Sequence, residues 1–64
     1  MKKLYVAGSV WVAGNYYFDE FIVTIPTDSV GKFKEHDIRM IKEAVLLSHG
    51  KKLVAILNIM ELAD

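Results

Sequence analysis

The run Leu53–Leu62, LVAILNIMEL, restricts the fold more than any other part of the chain, because both of its alternating residue sets are mainly apolar. Leu53, Ala55, Leu57 and Ile59 form one set, and Val54, Ile56, Met60 and Leu62 the other. Successive side chains of a strand point to opposite faces, so such a run is stable only where both sides are kept from water. A chain of 64 residues has material to cover one side of a small sheet. The other side is therefore expected to meet a second molecule.

Composition sharpens that expectation. Hydrophobic residues make up 53% of the chain, above the roughly 45–50% of an ordinary soluble domain. There is no Cys, which excludes disulfide staples and Cys-based zinc sites and fits a reducing, cytoplasmic setting. Oligomerisation, most simply as a homodimer, is the remaining way to bury the surplus. Eight Lys and Arg balance eight Asp and Glu, so no net field attracts nucleic acid or an anionic membrane. Met1-Lys2-Lys3 followed by Leu4–Ala13 imitates a signal peptide only superficially, since Tyr5, Ser9 and Trp11 interrupt the aliphatic core. No segment reaches the ~20 apolar residues of a membrane span.

Leu4–Ala13 and Tyr16–Ile25 are rich in Val, Ile, Tyr, Phe and Trp and flank Gly14-Asn15, a pair suited to the positive φ values of a hairpin turn. With the turn there, Ala13 is expected opposite Tyr16, Trp11 opposite Phe18 and Ser9 opposite Glu20. Leu4, Val6, Gly8, Val10 and Val12 then share the core face with Tyr17, Asp19, Phe21, Val23 and Ile25. Pro26 ends the second strand, and residues 27–31 read as a loop. The spacing of Met40, Ile41, Ala44, Val45 and Leu47 predicts an amphipathic helix over 37–48, with Asp37 as N-cap, His49 beside the C-terminal dipole and Gly50 at C′.

The fold expected from this order is α+β: one ββαβ domain over residues 1–64, a three-stranded antiparallel sheet in the order 2-1-3 with one helix on one face. Ten strand residues run ~33 Å and a twelve-residue helix ~18 Å, so the hairpin end and the second face should stay uncovered.

Candidate chemistry is sparse, and no enzyme, metal or cofactor is expected. His36-Asp37 has the form of a metal-binding pair, but only His49 remains as a further His, and helix capping explains Asp37. Asp19 and Glu20 are adjacent in a strand, so their carboxylates face opposite ways and cannot work as a glycosidase pair. Gly31-Lys32 lacks the surroundings of a phosphate-binding loop, and Ser9, Ser29 and Ser48 show no accompanying base.

The aromatic hairpin end carries the functional expectation. Trp11, Tyr16, Tyr17, Phe18 and Glu20 are expected to contact a partner protein, Trp and Tyr being favoured anchors. Val54, Ile56, Met60 and Leu62 are expected at the oligomer interface. The whole reads as a small non-catalytic protein-binding module that self-associates and acts as a regulator or inhibitor by occupying its partner, a role that short phage proteins often fill. Two alternatives compete. One is an oligomer that sequesters a nucleotide or similar small ligand by stacking on Trp11, Tyr16 or Phe18. The other is a nucleic-acid binder using Lys32, Lys34, Arg39, Lys42, Lys51 and Lys52.

Overall fold

The computed structural model describes residues 1–27 and 32–62, so of the expected loop only Thr27 is among the described residues, and Ser29 and Gly31 lie outside them. Four elements follow in order: β1 (Lys2–Val12), β2 (Asn15–Ile25), α1 (Glu35–His49) and β3 (Lys52–Glu61). The strands form one antiparallel sheet in the order β2-β1-β3, as the sequence predicts.

The hairpin register differs from the expectation by two residues. Ala13 (φ 50°) and Gly14 (φ 84°) form the turn rather than Gly14-Asn15, so Val12 pairs with Asn15, Trp11 with Tyr16, Ser9 with Phe18 and Ala7 with Glu20. Primed hairpin turns favour Gly at the second central position, and this is where Gly14 sits. Holding Ala13 in the left-handed region costs about 1–2 kcal/mol. The edge-to-face contact of Trp11 with Tyr16, at 4.7 Å and 68°, offsets this by about 0.5–1.5 kcal/mol. A two-residue slip leaves every side chain on its expected face, so the core assignment survives.

That core holds Leu4, Val6 and Val10 of β1, Phe21, Val23 and Ile25 of β2, Ile41 and Val45 of α1 and Leu53 of β3. Ile38, Met40 and Ala44 pack at its margin. Leu47, expected on the inward stripe, is instead 78% exposed, because Ile41 and Val45 one turn apart set the buried line and Leu47 falls beside it. Helix α1 begins two residues earlier than predicted. Asp37 is therefore the third helical residue rather than the N-cap, and its fully buried carboxylate accepts the Lys34 N–H at 2.9 Å and the Thr27 hydroxyl at 2.7 Å. At the other end Gly50 adopts φ 67° and donates its N–H to Leu46 O at 3.0 Å, the expected glycine stop.

Strand β3 does not alternate strictly. Its pairing with β1 shifts between Ala7 and Gly8 and again between Ser9 and Val10, leaving Leu57 and Val54 as the unpaired residues of two bulges. Leu53, Ile56 and Ile59 consequently fall opposite Val10, Gly8 and Val6, on the core side. A side chain at Gly8 would collide with the backbone carbonyl of Ala55, so only glycine admits the bulged strand at this point.

Candidate functional site

The side of the sheet away from α1 has nothing above it among the described residues. Along β1 it carries Tyr5, Ala7, Ser9 and Trp11; β2 adds Ile22, Glu20, Phe18 and Tyr16 beside them, and β3 adds Met60, Asn58, Ala55 and Lys52. Tyr16 (63%), Phe18 (64%), Ile22 (53%) and Met60 (53%) are more than half exposed. Beyond the end of α1 both faces are bare, and every residue from Trp11 to Phe18 is exposed. Wide apolar surfaces of this kind mark interaction sites on small proteins.

The aromatic set expected at the partner surface is split by the pleat. Trp11, Tyr16 and Phe18 share the open face with Glu20, whereas Tyr17 opposes Val10 and points to the opposite side, beyond the helix. Glu20 is not a free carboxylate: the Tyr5 hydroxyl donates to its Oε1 at 2.8 Å, and this bond, with the nearby negative charge, raises the Tyr5 pKa above its ordinary value. The residues expected at the oligomer interface do not share one surface. Met60 lies on the open face, and Val54 lines a depression of about 270 Å³ with Trp11, Tyr16 and Lys52. Ile56 packs at the core margin, and Leu62 donates its N–H to Lys3 O at 2.8 Å. The bulges cause this, since each one resets the alternation.

Sequence reasoning places Lys52 only among the basic residues and misses its position at the hairpin tip. The hairpin itself has no cation near its aromatics, but the antiparallel ladder sets Lys52 directly beside Trp11. The signal was available, because the first residue of a strand paired antiparallel to β1 must meet the end of β1.

The remaining basic residues do not assemble into a stripe. Arg39 lies 3.7 Å from Glu35, and Lys51 donates to Asp19 at 3.0 Å. Lys42 borders a groove of about 520 Å³ with Phe33, Ile38 and the outer edge of β3, while Lys32 and Lys34 precede the helix. Asp19 is held below the usual carboxylate range, first by the hydrogen bond from Lys51 and then by the Glu20 N–H, which donates at 2.8 Å. His49 sits over Phe21, ring centres 5.0 Å apart, with Nε2 3.4 Å from the carbonyl of Ile22. His36 Nδ1 is 3.8 Å from Asp37. Among the described residues no group of three or more His, Asp or Glu is placed to hold a metal, and no helix is long and apolar enough to cross a membrane. No protein-family model, curated protein or solved structure matches the chain.

Proposed function

We propose that this chain is a non-catalytic protein-binding module whose working surface is the open sheet face and hairpin tip, and which acts on a partner protein by occupying it. One observation carries the reading: Met60, Ile22, Phe18, Tyr16 and Trp11 stand exposed on one side of the sheet, around Glu20 and Asn58, with none of the described residues over them. Trp and Tyr at such a surface anchor protein contacts. The decisive comparison is between the intact protein and its Trp11→Ala variant. Trp11 is 42% exposed and its contact with Tyr16 is worth about 0.5–1.5 kcal/mol, so the variant should stay folded, with a loss of no more than about 2 kcal/mol in urea unfolding, while losing partner capture in a pull-down. Equal capture by both proteins would reject this surface.

A second reading, sequestration of a nucleotide, draws support from Lys52 beside the Trp11–Tyr16 pair, which sets a cation next to a stacking platform. Quenching of Trp11 fluorescence on titration with nucleotides tests it, and a flat titration removes it.

A further inference from the structure

We propose that the outer edge of β3 pairs with the same edge of a second copy of this chain, antiparallel about a two-fold axis at Ile59, so that Glu61 of each copy meets Lys42 of the other. This seam lies apart from the open face and the hairpin tip and does not rest on the reading above. The two edges of the sheet differ in what their backbones have left to offer. The two-residue turn makes Val12 and Asn15 a hydrogen-bonded pair, so by alternation the N–H and C=O groups of Glu20 and Ile22 point outward from β2. That edge is blunted: the Asp19 carboxylate accepts the Glu20 N–H at 2.8 Å, and His49 Nε2 stands 3.4 Å from the Ile22 carbonyl. On β3 the bond from the Leu62 N–H to Lys3 O fixes the alternation, which turns the backbone groups of Ile59 and Glu61 outward. Among the described residues no strand lies beyond them.

Beside this free edge runs a groove of about 520 Å³, bounded by β3 residues 54–59 and walled by Phe33, Ile38 and Lys42. Lys42 is half-buried there, and among the described residues no carboxylate pairs with it. A half-buried cation on an apolar wall calls for an anion. The two-residue connection from His49 to Lys52 makes α1 run antiparallel to β3. One helical turn covers ~6 Å and two strand residues ~6.6 Å, so with Ile38 toward the Ile59 end of the groove, Lys42 falls about two strand residues on, level with Leu57. A strand docked antiparallel with one residue opposite Ile59 therefore brings its second residue further on to Lys42. In β3 itself that residue is Glu61, on the helix side of the sheet opposite Leu4. Glu61 Oε1 lies 3.2 Å from Lys2, which leaves the other oxygen for Lys42 of the second copy, and the contact occurs twice by symmetry. An axis at Glu61 would set that carboxylate on itself, and one at Met60 would bring it opposite Ile59, among Phe33 and Ile38. The bulge at Leu57 ends regular pairing, so the seam spans residues 57–61, and the blunted β2 edge stops growth at two copies.

So short a seam makes a weak dimer, with an expected Kd on the order of 10–100 µM. Sedimentation of the full chain from about 1 to 500 µM measures it. Lys42→Glu sets like charges against Glu61 at both symmetric contacts and should raise the Kd at least about tenfold, and adding Glu61→Lys should return it to within about threefold of the unmodified protein. Within one chain Glu61 is four strand residues beyond the level of Lys42, ~13 Å, farther than the ~8 Å screening length, so rescue reads the contact between copies. Circular dichroism checks that each variant keeps its fold. Amide hydrogen exchange of the unmodified protein gives a second readout: the N–H groups of Ile59 and Glu61 should slow as protein concentration rises, and that of Glu20 should not. A chain monomeric up to 500 µM overturns the proposal. A dimer in which the Ile59 and Glu61 amides stay fast, or which is insensitive to Lys42→Glu or not rescued by the double variant, overturns it equally.

Discussion

The two faces of the sheet are made from the same three strands and similar residue types, yet they end in opposite environments. On the helix side, Ile41 and Val45 close over Leu4, Val6, Val10 and Val23, and all are almost wholly buried. On the other side Phe18, Ile22 and Met60 stand in water. The difference lies in the supply of covering elements rather than in the strands themselves. One helix can shield one side, and among the described residues nothing covers the apolar residues on the other. Burial of one face holds the fold together, and the other is left exposed.

A matched pair of substitutions tests that contrast most directly. Ile41→Ala, on the covered side, should cost about 2–5 kcal/mol, whereas Ile22→Ala, on the open side, should cost less than about 1 kcal/mol. Urea unfolding at one fixed protein concentration measures both, and equal costs would erase the distinction between the faces. Gly8→Ala probes the point where β3 meets the centre of the sheet. Its added methyl group faces the carbonyl of Ala55, a backbone atom that cannot swing aside, so a loss of about 3 kcal/mol is expected in the same assay.

The smallest effect concerns Asp19, at the border where cover ends. Its pKa is lowered in the folded protein, so its link to Lys51 contributes stability above the ordinary unfolded pKa of about 3.9, and that contribution is lost as pH falls through the lower folded value. Asp19→Asn should therefore flatten the acid limb of the stability profile below about pH 4 and leave its slope near neutrality unchanged. An unaltered acid limb would mean that the Lys51 contact contributes nothing measurable.

Much of this architecture is legible in the sequence because it depends on parity. The alternation of Leu4, Val6, Val10 and of Phe21, Val23, Ile25 assigns the core face whether the turn sits at Ala13-Gly14 or one position later, and the Ile41–Val45 spacing turns the helix toward it. What depends on single-residue phase is harder to read. The turn is one such case: Gly14 suits either central position of a primed turn, and the register adopted places it second, with Ala13 in the left-handed region. The bulges of β3 are hidden because a run apolar on both sides fits any phase, and only Gly8, on a different strand, admits the one adopted. Asp37 is legible as a capping residue, but it caps from the third helical position, accepting the Lys34 N–H, and also accepts the Thr27 hydroxyl, a contact that spacing alone does not reveal. The uncovered face was foreseeable from element lengths; the position of Lys52 at the tip required the ladder.

The way β1 acquires its neighbours has a consequence for how the protein forms. A two-residue turn brings β2 alongside within microseconds, as hairpins do, while β3 arrives only after the helix and a long stretch of intervening chain. During that delay the future centre of the sheet has one naked ladder edge, a state in which a newly made chain can add the wrong strand. The bare backbone at Gly8 leaves room at that edge for the Ala55 carbonyl, so a larger residue there would obstruct the last strand to dock.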